Sequence, residues 1–307
     1  MRHNFPDYIL LSEVGPRDGF QFEKKLIPID LKLDIIAGLV DAGLKKIQVT
    51  SFVLPERVPQ LADAETLIAR LPQKDGVDYY GLVLNMTGLE RAYSAGLGSV
   101  EISISCSDTH SRRNTGMSID QALKQGIRMI ARARSHKMQT MASIQCAFGC
   151  VFEGAIIESR VVETARALTA AGIDMLGLAD TTGMANPLKI KSLVNEVKAA
   201  IGNTPLALHL HDTRGLGLVN VMAGIECGIN NFDTALGGMG GCPFIPGATG
   251  NIATEDTAYL IESMNINTGI DIPCVARCSL MMGEYLNKQF PGKIYLLENS
   301  RFQMKTD

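Results

Sequence analysis

The chain has 307 residues, 46% apolar and 20% charged, which is ample material for a core and excludes a disordered chain. Lys and Arg total 29 against 32 Asp and Glu, a formal charge of −3 with no basic block, so nucleic acid is excluded as an expected partner. The uncharged run 234–254 is rich in glycine and proline, the composition of a loop and not of a membrane span.

Eight strand-like segments follow one another: Tyr8–Val14, Lys46–Ser51, Tyr79–Leu84, Val100–Ser105, Thr140–Cys146, Met175–Ala179, Leu206–His211 and Asn231–Leu236. Most read as continuous apolar runs, as expected of parallel strands covered on both sides. Helical stretches separate them. Asp30 is the expected N-cap of a helix carrying Leu33, Ile36, Leu39 and Val40, with Gly43 as its stop. Ser118 and Gln121 form a capping-box pattern ahead of Ala122–Lys137. Val161–Ala171 ends at Gly172, Pro187 opens a further helix, and Ala253–Ile261 follows the last strand. Eight β-then-α units predict an α/β fold, a (β/α)8 TIM barrel. A doubly wound sheet is the alternative, weakened because no Gly-x-Gly-x-x-Gly follows the first strand. The expected organisation is a barrel over residues 6–275, with 276–307 as an additional C-terminal helix and tail packed on it. Helical patterning over Cys274–Lys288 supports that tail.

The seven cysteines are odd in number and form no Cys-x-x-Cys pair, which disfavours a disulfide framework and favours a reducing, cytoplasmic setting. The first residues run almost directly into a strand, so no targeting segment is expected.

Active sites of this fold form at the C-terminal ends of the strands, and reactive residues concentrate there. Arg17 and Asp18 follow strand one; a carboxylate there can hold a hard cation and the arginine an anionic oxygen, though a surface ion pair would read the same. In Leu206-Ala-Leu-His-Leu-His211, His209 and His211 share one face and Leu208 and Leu210 the other. With the leucines on the helix-packed outside, both imidazoles point inward, as half of a metal site or as a buried hydrogen-bonded pair. After strand eight, the glycine-rich stretch 237–251 suits a lid or a phosphate cup. It carries Cys242, flanked by Gly and Pro and expected to be exposed, and Asn251, whose amide oxygen can face a metal. Asp180 follows strand six, as a mouth carboxylate or a turn residue. Gln48 is read at the end of strand two; it can hydrogen-bond but neither takes a proton nor balances charge. Asp18, His209, His211 and Asn251 together offer two nitrogens and two oxygens, a set suited to Mg²⁺ or Mn²⁺.

The segments Val14-Gly-Pro-Arg-Asp-Gly19, Thr50-Ser-Phe52, Asp180-Thr-Thr-Gly183, His209-Leu-His-Asp-Thr213 and Gly241–Asp256 resemble 3-hydroxy-3-methylglutaryl-CoA (HMG-CoA) lyases in order and spacing, over about residues 8–285. The resemblance implies retro-Claisen cleavage of an acyl-CoA to acetyl-CoA and acetoacetate, usually in leucine degradation. It implies Asp18, His209, His211 and Asn251 as ligands of a divalent metal, and Arg17 as the group that steadies the enolate oxygen. Cys242 matches a catalytic lid cysteine, Asp180 an acidic residue needed for activity, and Lys24 a lysine near the CoA end. The family usually has glutamate where this chain has Gln48, which leaves open a related substrate such as citramalyl-CoA or a longer 3-alkyl homologue. His110, Arg112 and Arg113 fall in a segment that reads as a solvated loop or as a CoA-phosphate contact. A catalytically silent metal-binding barrel is the reading from another class, supported by Gln48 alone. An aldolase barrel would need an inward strand lysine, and Lys46 stands at the wrong end of its strand. The expected partner is an acyl-CoA, with no nucleic acid or membrane, and a homodimer is compatible with this reading.

Overall fold

The computed structural model describes residues 5–241 and 249–298. Eight parallel strands among them, β1 (Leu10–Glu13), β2 (Lys46–Ser51), β3 (Asp78–Val83), β4 (Ser99–Ser105), β5 (Gln139–Gln145), β6 (Met175–Ala179), β7 (Leu206–His209) and β8 (Asn231–Thr234), close into a barrel in sequence order. β1 completes the ring by pairing with β8 in the register Leu10↔Asn231 to Glu13↔Thr234. The outer ring comprises α1 (Ile29–Asp41), α2 (Ala64–Ala69), α3 (Met86–Ser94), α4 (Asp108–Thr115), α5 (Ile119–Ser135), α6 (Glu158–Ala170), α7 (Pro187–Ile201), α8 (Gly217–Glu226), α9 (Thr254–Ser263) and α10 (Ile272–Leu286). The expected (β/α)8 barrel is the fold, and the doubly wound alternative is excluded by ring closure.

All eight strand segments form, several ending earlier than their apolar runs. β7 stops at His209 and His211 lies beyond it, in a lone antiparallel bridge with Asn251. β1 stops at Glu13, where the chain turns into a tight π-type turn, Gly15–Gly19, that carries Arg17 and Asp18. The ladder ends where the neighbouring strand ends, and the residues beyond it form the mouth.

The capping box at Ser118/Gln121, Pro187 in its first helical turn and the left-handed Gly43 and Gly172 are used as expected, and Asn186 caps the helix that Pro187 opens. Asp30 is not a cap. Pro28 occupies that position in extended conformation, and Asp30 falls in the first helical turn and pairs with Arg70 at 2.6 Å. The segment holding His110, Arg112 and Arg113 is not a solvated loop either. Ser107 caps α4 by accepting from the His110 amide, and Gly116 closes it in left-handed conformation. α10 spans position 275/276, and its Val275, Ala276, Cys278 and Met282 are buried in the common core.

β4 shows how the barrel sorts its two faces. Ile102 and Ile104 point outward against α5, where a Cβ on Gly126 would lie 2.5 Å from Ile104 Cδ1. Glu101 and Ser103 alternate with them and point into the barrel mouth. Apolar burial between strands and helices therefore holds the fold, while the upper interior is polar.

Below the mouth lie two fully buried carboxyls. Glu13 accepts from the amides of Gly15 (2.7 Å) and Leu236 (3.0 Å) and from the Thr254 hydroxyl (2.6 Å), tying the turn after β1 to the loop after β8. Glu255 accepts from the Gly237 amide and the Ser279 hydroxyl, which fastens α10 to the same loop. Burial pushes the Glu13 pKa up from 4.5 to about 8, only partly offset by its hydrogen bonds. The folded state therefore binds this proton more tightly than the unfolded chain. The associated stability is fully present below about pH 4.5 and is lost as pH rises toward about 8. Replacement of Glu13 by Gln, which keeps an acceptor oxygen but cannot ionise, should flatten stability between pH 5 and 8 (roughly these pKa limits) in urea titrations; an unaltered slope would refute the assignment.

Candidate active site

His209 and His211 point to one side of the β7 end, as their spacing requires, and Leu208 and Leu210 are fully buried on the other. The two imidazole Nε2 atoms lie 3.2 Å apart, and His209 Nε2 is 4.0 Å from Asp18 Oδ2. Ligand atoms of Asp18, His209 and His211 all fall within 4.8 Å of one another. Asn251 closes the group. Its Nδ2 donates to Asp18 Oδ2 at 2.7 Å and to the Met239 carbonyl at 3.0 Å, and its buried Oδ1 has no hydrogen-bond partner among the described residues. Residues from three stretches distant in sequence thus meet at one point of the rim.

The electrostatics favour a cation. Burial works against the Asp18 carboxylate, but Arg17, His209, His211 and the Asn251 amide outweigh it and hold its pKa below the usual value. Burial and the neighbouring His209 push His211 down to about 3, so it stands neutral with a lone pair available. Burial also disfavours the His209 cation, yet Asp233, 3.3 Å from its Nδ1, and Asp18 raise its pKa. An Nδ1–H donated to Asp233 turns the Nε2 lone pair toward the cluster, the arrangement of a metal-ligating histidine. Two facing imidazole nitrogens, a carboxylate and an orphaned amide oxygen fit a divalent cation with mixed nitrogen and oxygen donors.

Arg17 sits beside this cluster, 9% exposed, with its Nη1 2.5 Å from Asp18 Oδ1. Its Nε donates to Gln48 Oε1, and Gln48 Nε2 donates to Glu101 Oε2 at 2.5 Å. Gln48 is the third residue of β2, not its end; it reaches the mouth from inside the barrel. Glu101 also accepts from the Ser143 hydroxyl, which lies 2.9 Å from that of Ser103. The apolar-run reading of the strands passes over Glu101. The alternation Ser99-Val-Glu-Ile-Ser-Ile-Ser105 is the signal that marks it as inward.

Arg17, Asp18, His209 and His211 line a cavity of about 390 Å³ at the mouth. Phe22, Val53, Leu82 and Leu84 give it an apolar side, and Glu101, Ser103, Ser143 and Gln145 a polar one. His110 and Asn114 of α4 also face it, and exposed Arg57 stands among its lining. His110 cannot serve as a cationic phosphate contact at neutral pH, because burial pushes its pKa down to about 4. Arg112 pairs with Asp108 and Arg113 lies over Phe152.

Other expected residues lie elsewhere. Asp180 is buried but does not line the cavity; its Oδ1 accepts from the amides of Met184 and Ala185, so the turn reading is realised. Burial raises its pKa to about 6, against those hydrogen bonds, and Oδ2 has no partner among the described residues. Lys24 is exposed and does not line the cavity. Cys242 lies outside the described residues. The described cysteines are all free thiols.

Fold and site together define a (β/α)8-barrel enzyme with a group of potential metal ligands, Asp18, His209 and His211, at the C-terminal mouth of the strands. The HMGL-like family model matches residues 8–281, and the chain belongs to this family. It is 37% identical to the cytoplasmic 3-hydroxy-3-methylglutaryl-CoA lyase of Rattus norvegicus, over 94% of this chain and 84% of that one. Identity to the Bacillus subtilis hydroxymethylglutaryl-CoA lyase YngG is 35%, over 94% and 97%. Among solved structures, an HMG-CoA lyase from Acinetobacter baumannii in complex with coenzyme A and 3-methylmalate superposes with a TM-score of 0.90 at 38% identity, covering 94% of each chain.

Proposed function

We propose that the protein is a metal-assisted carbon–carbon lyase that cleaves HMG-CoA to acetyl-CoA and acetoacetate. The observation that carries this reading is the convergence of Asp18, His209 and His211, with Asn251 beside them, next to a buried arginine in a cavity of small-molecule size. Lyase relatives at this level of identity across most of the chain support the substrate.

Asp18, His209, His211 and Asn251 would hold Mg²⁺ or Mn²⁺, which as a Lewis acid would make the substrate's tertiary hydroxyl more acidic. With both imidazoles engaged, proton removal falls to another group, and we assign it to the Cys242 thiolate. Loss of the hydroxyl proton lets the alkoxide become the ketone of acetoacetate as the C2–C3 bond breaks. The electron pair passes to the thioester as an enolate. Arg17, fixed by Asp18 and Gln48, offers a charged donor to that oxygen at no cost in reorganisation. Return of the proton to the carbanionic carbon gives the acetyl methyl group. The apolar side formed by Leu82 and Leu84 suits the substrate methyl, and Arg57 a CoA phosphate. Lys24 is assigned to the CoA end and Asp180 to holding the turn after β6. No helix among the described residues is long and apolar enough to cross a membrane; a cytoplasmic place in leucine breakdown accords with this reading.

The test is a panel of 3-hydroxyacyl-CoA esters with Mg²⁺ and with Mn²⁺, scored by acetyl-CoA release. Cleavage of HMG-CoA at higher kcat/KM than citramalyl-CoA is expected, and the reverse order would replace the substrate. Cys242→Ser should lower kcat by about 10²-fold or more, the scale of a lost acid–base group, with Mn²⁺ affinity by calorimetry unaltered. Turnover at the parent rate would remove Cys242 from the reaction.

A further inference from the structure

Glu101 is a buried carboxylate that lines the cavity yet belongs to no donor cluster, and no cation is hydrogen-bonded to it in the described structure. Its two oxygens are taken by neutral donors, Gln48 Nε2 at 2.5 Å and the Ser143 hydroxyl. A carboxylate only accepts, which settles both partners. Ser143 spends its single proton on Glu101, so the contact at 2.9 Å must be donated by Ser103. Gln48 must likewise turn its amide nitrogen to Glu101, which leaves Oε1, and not a second N–H, facing Arg17 Nε. Were position 101 apolar, only the Arg17 Nε–H would hold the amide in this sense, and Gln48 Nε2 would be buried without its acceptor. A rotated amide would set its NH₂ against the Arg17 Nε–H, and the guanidinium would have to leave its place.

We propose that Glu101 is the positioning residue of this active site: acting through Gln48, it aims the Arg17 guanidinium into the cavity. The chain Ser103–Ser143–Glu101–Gln48–Arg17 links β4, β5 and β2 to the turn after β1. Polarity converges on the Glu101 carboxylate from both ends: Ser103 and Ser143 donate toward it from one side, Arg17 and Gln48 from the other, with the Gln48 amide an oriented dipole between the two charges. This deepens the lyase reading, since it rests on Arg17 facing the developing enolate.

The chain also predicts which changes can be exchanged for one another. Gln48→Glu alone would place two carboxylate oxygens at the present 2.5 Å separation and disrupt the link. Gln48→Glu with Glu101→Gln restores every pairing in mirrored order. Arg17 then donates to the carboxylate at position 48, the amide at position 101 donates to that same carboxylate, and Ser143 donates to the amide oxygen at position 101. Glu101→Leu removes the anchor outright.

The experiment measures kcat and KM for CoA release by the Mn²⁺-loaded full chain. It also measures solvent exchange of the Arg17 Nε–H by NMR in the metal-free protein. Glu101→Leu and Gln48→Glu should each lower kcat at least about tenfold, the worth of one misplaced charged hydrogen bond, with KM within about threefold. Both should speed Arg17 Nε–H exchange, and the double swap should recover most of both losses. A double swap no better than Gln48→Glu, or slow Arg17 exchange in Glu101→Leu, would overturn the proposal. If Glu101→Leu does not fold, as judged by its melting transition, the swap still decides. A parent chain that cleaves no HMG-CoA would fail the lyase reading, while the exchange measurement would still report on Glu101.

Discussion

His211→Ala is expected to abolish retention of Mn²⁺ and, with it, CoA release. His211 stands 5% exposed and neutral, its Nε2 3.2 Å from that of His209. Its removal leaves one imidazole, one carboxylate and one amide oxygen to hold an ion that keeps several waters when its protein ligands are few. Loss of groups that merely orient a ligand weakens metal affinity about 10- to 100-fold, so loss of a direct ligand should exceed that. Elemental analysis after gel filtration should find far less than one Mn²⁺ per chain, and kcat should fall below detection. The fold should survive, because His211 lies beyond the β7 ladder and the neighbouring Leu208 and Leu210 carry the packing. One Mn²⁺ per chain in the variant would remove His211 from the donor set and leave the cluster without its metal assignment.

Arg17→Gln separates catalysis from metal binding. The guanidinium is a fixed charge next to where the enolate oxygen would develop, and loss of one such group costs about 10²- to 10³-fold in kcat, or roughly 3–4 kcal/mol of transition-state stabilisation. KM should move little, because the charge develops only as the bond breaks. Metal affinity should hold or rise. Arg17 is a cation beside a cation site, and its field disfavours the protonated forms of both histidines. Calorimetry with Mn²⁺ on the variant should therefore show an affinity at least equal to the parent's. A parallel fall in kcat and Mn²⁺ affinity would mean that Arg17 serves the donor cluster through Asp18 and not the reaction.

Glu101 changes the meaning of the amide at position 48. From the sequence, Gln48 reads as a residue that cannot balance charge, at a position where the family usually has glutamate. In the folded molecule the carboxylate is supplied from β4, and a glutamate in place of Gln48 would be added where one already stands. The charge count of the mouth cannot be taken position by position.

How much is legible in the chain follows from which forces are local. The eight strands, the capping box at Ser118/Gln121, the proline at Pro187 and the glycine stops are written in residue types whose preferences act within a few positions. The inward face of His209 and His211 follows from a two-residue repeat. Asp30 is ambiguous in sequence because aspartate at a helix start serves either as cap or in the first turn, and only the extended backbone of Pro28 decides which. The stretch around His110 looks like a loop because its polar composition hides a short helix whose one buried face, His110 and Ser111, turns to the barrel.

By itself, then, the sequence determined the barrel, the strand order and the residue types at the mouth, since propensity, periodicity and turn chemistry are short-range. Only the tertiary structure decided that Asp18, His209, His211 and Asn251 share one point, that Asp180 and Lys24 lie off the cavity, and that Glu101 faces Gln48. Those facts depend on ring closure, which brings β1 against β8 and sets β2 and β4 across the same narrow interior. No preference of a single segment contains the distance between two strands that the chain reaches about fifty residues apart.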